Sequence, residues 1–170
     1  MNFDQLFNWL DSYPDVIVEL TGGEPLTQEN IYPFIDALLD KGRKTLLETN
    51  GSLSIEKIPS GVSIILDIKC PGSGMVEKNN WQNIDLLKTR KKNNSTDEIK
   101  FVLSSEEDFH WALKIIEEYK LDQMVPVLFS PVEFLLAPVT LAELIMENRT
   151  PVKMQIQLHR ILWPETSRGV

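Results

Sequence analysis

Five residues, Thr21-Gly22-Gly23-Glu24-Pro25, hold the densest chemistry in this chain. They follow the β-branched, apolar run Val16-Ile17-Val18-Glu19-Leu20, so a glycine pair stands where a strand stops. Glycine there lets the backbone take positive φ and lets a ligand lie against bare main chain, because no Cβ stands in the way. Glu24 adds one carboxylate, and Pro25 stiffens the exit without offering an N–H donor. The same residues also fit a plain strand-to-helix turn with an exposed acid. Other chemistries are poorly supplied. His110 lies early in a helical stretch and reads as a surface residue, and no spacing supports a Ser-His-Asp arrangement. His159 shares a face with Gln157 at period two, which fits a satisfied histidine at the core edge or a polar pair reaching a ligand. No Gly-x-Gly-x-x-Gly and no Gly-Lys-Ser/Thr occurs, which argues against dinucleotide and P-loop sites. The single cysteine, Cys70, excludes an internal disulfide and cannot by itself hold zinc or an iron–sulfur cluster. These residues alone lead to a small-molecule site of unspecified chemistry.

The elements that would position such a site alternate regularly. Phe3, Leu6, Phe7 and Leu10 fall on one helical face, which Tyr13-Pro14 ends. A strand over 15–20 feeds the glycine turn, Thr27 reads as a cap, and Ile31, Phe34, Ile35, Leu38 and Leu39 make a helical stripe closed at Lys41-Gly42. Strands are expected over 44–48, ending at Thr49-Asn50-Gly51, and over 62–68, ending at Lys69-Cys70-Pro71-Gly72-Ser73-Gly74. Trp81, Ile84, Leu86 and Leu87 suggest a short helix, and 88–95 read as a basic polar loop, a solvated connection in preference to a phosphate or RNA patch. A strand over 98–103 leads to a capping box at Ser104-Ser105-Glu106-Glu107 and a helix to Tyr119. A strand over 124–129 ends at Ser130-Pro131, a second capping box at Thr140-Leu141-Ala142-Glu143 opens a helix to about Glu147, and 152–159 alternate as a two-faced strand. Strands alternating with helices imply an α/β fold with a parallel sheet, whose strand C-termini, and with them the turns at 21–25, 49–51 and 67–74, would share one rim.

At 170 residues the chain reads as a single domain over 1–170, large enough to bury a real core. Hydrophobic residues at 42% and charged residues at 25% mark it as globular. A net charge of −8 argues against a general nucleic-acid or anionic-membrane binder and favours small ligands. Neither a signal peptide nor a membrane span is legible, so a cytoplasmic location is expected.

Thr21-Gly22-Gly23-Glu24-Pro25 after one strand and Glu48-Thr49-Asn50-Gly51 after the next resemble the radical S-adenosylmethionine enzymes. Asp67-Ile68-Lys69-Cys70-Pro71-Gly72-Ser73-Gly74-Met75, Asp97 to Val102, Val127 to Val132, Gln157 to Trp163 and the closing Arg168-Gly169-Val170 narrow this to the longer form of the 7-carboxy-7-deazaguanine synthases, over essentially the whole chain. The resemblance implies a partial (β/α) radical barrel, an open parallel sheet with helices on its outer face. It implies reductive cleavage of S-adenosylmethionine at a [4Fe-4S] cluster, hydrogen abstraction from 6-carboxy-5,6,7,8-tetrahydropterin and a ring contraction with loss of ammonia, assisted by Mg²⁺. By position, Gly22, Gly23 and Glu24 would receive the methionine ammonium, Asn50, Asp67 and Lys69 would complete the cofactor side, and Thr21 would face the substrate. Ser130, Gln157, His159 and the terminal carboxylate of Val170 are the candidates for the pterin. The complete enzyme would be a homodimer of queuosine biosynthesis, with no direct nucleic-acid or membrane partner. The chemistry is consistent with these residue types, since an ammonium suits a carboxylate and bare carbonyls, and a carboxylate suits a lysine.

One departure is large. The family's Cys-x-x-x-Cys-x-x-Cys loop, with the threonine that holds Mg²⁺, belongs to a first strand–loop–helix unit upstream of the helix that begins here at Phe3, and this sequence has none of it. The 170 residues alone are therefore expected to bind no cluster and to leave S-adenosylmethionine uncleaved. The competing expectation is a non-catalytic remnant that serves as a binding or interaction module through an exposed sheet edge beside 15–20.

Overall fold

The computed structural model describes residues 3–91, 96–132, 134–158 and 162. The chain forms two compact units, Met1–Leu66 with Asn80–Asp97, and Asp67–Asn79 with Glu98–Val170.

The first unit opens on helix α1 (Phe3–Leu10), followed by β1 (Val18–Leu20), α2 (Ile31–Asp40), β2 (Thr45–Thr49), β3 (Val62–Ile68, whose last two residues count with the second unit) and α3 (Gln82–Lys91). β1 pairs with β2 and β2 with β3, both parallel, with Leu20 opposite Leu47 and Leu47 opposite Ile64. The apolar stripe of α2 buries Phe34, Ile35 and Leu38, and α1 lays Phe3 and Phe7 on Phe34 at ring separations of 5.1 and 5.5 Å. Arg43 closes α1 from outside, donating to the Leu10, Tyr13 and Pro14 carbonyls, the kind of cation that exposed helix C-terminal carbonyls attract.

Three expectations change in this unit. β1 spans only 18–20, because Val16 and Ile17 are exposed and pairing starts where Val18 N–H reaches the carbonyl of Lys44, just before β2. Thr27 does not cap a helix; Glu24 caps a single 3-10 turn, Pro25–Thr27, and α2 starts four residues beyond Thr27. Residues 88–91 are helical instead of a solvated loop, and Arg90 is buried at 8% exposure. Its guanidinium meets Asp97 at 2.8 and 3.2 Å and the Ile58 carbonyl at 2.8 Å, while Asp97 also accepts from Ile64 N–H at 2.9 Å. A buried charge with all its donors satisfied this way ties the end of α3 to the start of β3 and the segment before it. Residues 92–95, the rest of the expected loop, lie outside the described residues.

The second unit contains β4 (Glu98–Leu103), α4 (Glu106–Tyr119), β5 (Val127–Pro131), α5 (Pro138–Glu147) and β6 (Lys153–Met154). β4 pairs with β5 and β5 with β6, again parallel. Phe101, Phe109 and Phe129 form its core, with Phe129 edge-on to both other rings at 5.7 and 5.6 Å. The capping box before α4 is shifted by one residue. Ser105, not Ser104, is the N-cap, and its hydroxyl accepts from Asp108 N–H. The box expected at Thr140 does not form, because α5 begins earlier, at Pro138, with no side-chain cap. Among the described residues the two-faced strand expected over 152–159 is reduced to Lys153–Met154, which pair with β5, and Gln155 N–H, which reaches the Phe129 carbonyl. Among the described residues no helix is long and apolar enough to cross a membrane.

Candidate functional site

In the first unit the site candidate is the turn after β1. Gly22 and Gly23 have φ of 90° and 55°, a region that side chains rarely adopt, and a Cβ built on either would meet nothing within 4 Å. The glycines thus serve the backbone conformation and leave main chain facing open space. Thr21 beside them is exposed. The carboxylate of Glu24 accepts from Leu26 N–H at 3.1 Å, from the Thr49 hydroxyl at 2.8 and 2.9 Å, and from Asn50 N–H at 2.7 Å. A carboxylate offers roughly four acceptor positions, so most of Glu24 already serves the protein. It laces the glycine turn to the end of β2. Asn50, half-buried, donates its N–H to Glu24 and turns its Oδ1 to Ser52 N–H at 3.0 Å. Gly51 (φ 73°) then passes its carbonyl to Asn80 N–H and the Asn83 side chain, which also holds Ile55 N–H and the Leu53 carbonyl.

In the second unit Asp67, near the end of β3, and Lys69, just beyond it, form an ion pair of 2.6 Å. Lys69 keeps 28% of its side chain exposed against 11% for Asp67, so the lysine is the more accessible partner of the pair. Both main-chain groups of Lys69 are taken by one side chain: its N–H donates to Asn79 Oδ1 and its carbonyl accepts from Asn79 Nδ2, each at 2.9 Å. Cys70 is fully buried; burial first, then the Asp108 and Asp67 carboxylates, push its thiol far up, with Lys69 opposing. It is therefore an inert thiol at neutral pH.

The structure brings together Gly22, Gly23, Glu24 and Asn50 in the first unit, and Asp67 with Lys69 in the second. Ser130 is an interior residue of β5 at 1% exposure, whereas Gln157 is exposed beyond β6. His159 and Val170 lie outside the described residues. Sequence reasoning missed three residues that hold the others in place: Thr49, Asn79 and Asp108. Thr49 sits inside a motif that drew notice for its neighbour, and Asp108 has the spacing of a cap, but Asn79 has no local signature.

Taken separately, the exposed glycine main chain and anchored carboxylate of the first unit have the chemistry to meet an ammonium, and the half-buried lysine of the second has the chemistry to meet a carboxylate. They do not suit an iron–sulfur cluster, which is held by several thiolates. This chain has one cysteine, buried and held protonated, and no group of three or more histidine, cysteine or acidic residues among the described residues could hold a metal ion.

No family model matches the chain. Among curated proteins it is 36% identical over 170 residues to the 7-carboxy-7-deazaguanine synthase of Chlorobaculum tepidum, covering 100% of this chain and 76% of that protein. Among solved structures it resembles QueE from Escherichia coli, with a TM-score of 0.65 and 18% identity over 91% of this chain and 62% of that one. It also resembles Streptococcus suis SuiB bound to S-adenosylmethionine, with a TM-score of 0.63 and 15% identity over 99% of this chain and 45% of that one. At such low identity the structures establish the fold, the open parallel α/β partial barrel expected from the sequence. The curated relative establishes more: this chain belongs to the 7-carboxy-7-deazaguanine synthase family of radical S-adenosylmethionine enzymes.

Proposed function

We propose that this chain is the main part of a synthase that converts 6-carboxy-5,6,7,8-tetrahydropterin to 7-carboxy-7-deazaguanine with loss of ammonia, in cytoplasmic queuosine biosynthesis. The observation that carries this reading is the 36% identity to a named synthase across all 170 residues. In it, Gly22, Gly23 and Glu24 bind the ammonium of S-adenosylmethionine, with Asn50, Asp67 and Lys69 as the other cofactor residues. Thr21, Ser130, Gln157, His159 and Val170 are the pterin candidates, of which Ser130 is the weakest because it is wholly interior. The [4Fe-4S] cluster and Mg²⁺ draw their ligands from outside these 170 residues, and the complete enzyme is a homodimer.

Two samples test this: the 170-residue chain, and the same chain with a family Cys-x-x-x-Cys-x-x-Cys unit fused ahead of Phe3. After anaerobic iron–sulfide reconstitution the fusion should show the cluster chromophore, form 5′-deoxyadenosine and release 7-carboxy-7-deazaguanine, and the chain alone should do none of these. A fusion that cleaves S-adenosylmethionine yet leaves the pterin unchanged would point to another substrate. A second reading, an interaction module, draws on the exposed Val16 and Ile17 beside edge strand β1. Light scattering of the chain and of Ile17→Lys separates it, since obligate self-assembly that the substitution abolishes supports a paired edge, whereas a monomer, or a dimer indifferent to the substitution, does not.

A further inference from the structure

Lys69 stands in a segment secured from two directions by residues with no assigned role. From one side Asn79, which ends the short turn Val76–Lys78, takes both main-chain groups of Lys69 in a two-bond clasp. From the other, Asp108 at the start of α4 accepts Gly72 N–H at 2.8 Å. The same carboxylate accepts Ser104 N–H at 2.9 Å and the Ser104 hydroxyl at 2.6 Å, and it is buried at 1% exposure. The fit at Gly72 is close, because a Cβ there would stand 2.1 Å from Ser104 Oγ and 2.6 Å from Asp108 Oδ2. Between the two anchors the turn closes on itself, with the Ser73 hydroxyl donating to the Cys70 carbonyl at 2.6 Å.

We infer that Asn79 and Asp108 are positioning residues that fix the 69–72 main chain so that the Lys69 ammonium, paired with Asp67, stands ready for the anionic group of the cofactor. A lysine on a long flexible stem is a poor receptor unless its base is fixed beforehand, and preorganisation of the main chain supplies that. The cofactor part of the inference rests on the functional reading above, whereas the clasp on Lys69 does not.

The test uses the 170-residue chain with equilibrium dialysis of S-adenosylmethionine and NMR of lysine-labelled protein, in which Lys69→Arg assigns the Lys69 side-chain signal. Asn79→Ala should weaken binding at least tenfold and shift the Lys69 signal towards that of an unrestrained lysine. Asn79→Asp, which keeps the acceptor for Lys69 N–H and loses the donor, should fall between, and it carries the comparison if Asn79→Ala does not fold. Asp108→Asn should shift the same signal in the same direction. In a Lys69→Ala background Asn79→Ala should change binding less than twofold, since its effect passes through Lys69. A tenfold loss that persists in that background overturns the inference, as does a Lys69 signal unmoved by Asn79→Ala. If Lys69→Ala leaves binding unchanged, or the chain takes up no S-adenosylmethionine, the cofactor assignment of Lys69 fails, and a shifted Lys69 signal still upholds the clasp.

Discussion

Removing the Glu24 carboxylate should cost stability before it costs any chemistry. Glu24→Ala takes away the acceptor for Leu26 N–H, Asn50 N–H and the Thr49 hydroxyl. Hydrogen bonds to a charged group contribute about 1.5–3 kcal/mol each. The three do not add fully, because the two N–H groups are part-buried and can recover water, whereas Thr49 is 1% exposed and its hydroxyl proton would be stranded, the oxygen still accepting from Gly51 N–H. A stranded buried hydroxyl costs about 1–3 kcal/mol and a lost cap about 1 kcal/mol, so a net loss of about 2–4 kcal/mol follows. Glu24→Gln should lose about 1–2 kcal/mol, because its amide nitrogen must face one of these N–H donors. Urea denaturation reads both as a lower midpoint at constant slope. Thr49→Val keeps the carboxylate, and a double-mutant cycle with Glu24→Ala should give a coupling of about 1–2 kcal/mol. A Glu24→Ala chain within about 0.5 kcal/mol of the native one would refute the account of Glu24 as the tie between the turn and β2. Loss of ligand binding in Glu24→Ala alone would not identify a binding role, so Thr49→Val is the necessary control.

Arg90→Lys should destabilise by about 3 kcal/mol or more in urea titrations, since an ammonium cannot span Asp97 and the Ile58 carbonyl together and leaves a buried charge poorly paired; an unchanged midpoint would contradict this. Gly72→Ala should cost about 1–3 kcal/mol by overpacking against Ser104 and Asp108, and should speed the reaction of Cys70 with a thiol reagent as the turn opens. The Cys70 thiol, pushed up by burial, adds stability that is fully present below the ordinary thiol value of about 8.5 and is lost as pH rises above it, because only the unfolded chain then releases the proton. Between pH 9 and 10 the native chain should therefore lose up to about 1.4 kcal/mol more than Cys70→Ala does, and parallel denaturation profiles for the two would contradict the buried, protonated thiol.

The parallel α/β architecture was legible because period-two and period-3.6 runs alternate cleanly: β3, β4 and α4 begin and end close to where their apolar patterns do. The failures share a cause, namely partners distant in sequence. Lys88-Thr89-Arg90-Lys91 read as a solvated basic run, since nothing local announces that Asp97 and the carbonyls of 58–62 await one of its cations. The alternation over 152–159 had a strand's pattern, but a strand needs a neighbour, and among the described residues β5 pairs with Lys153 and Met154 only. At the site, Thr21 to Pro25 announced a turn by its glycines, yet the tie from Glu24 to Thr49 and Asn50 spans about a helix and a strand of sequence and shows only in the fold. Asn79, ten residues from the lysine it clasps, was invisible for the same reason.

The proposed function assigns S-adenosylmethionine binding to Gly22, Gly23 and Glu24 and to Asp67 and Lys69, with the cluster ligands drawn from elsewhere. Equilibrium dialysis of S-adenosylmethionine against the iron-free 170-residue chain tests it most directly. The account predicts saturable binding, weakened by methionine in competition and by Lys69→Ala, with the S-adenosylmethionine recovered intact. Absence of saturable binding, or binding indifferent to both methionine and Lys69→Ala, would contradict it.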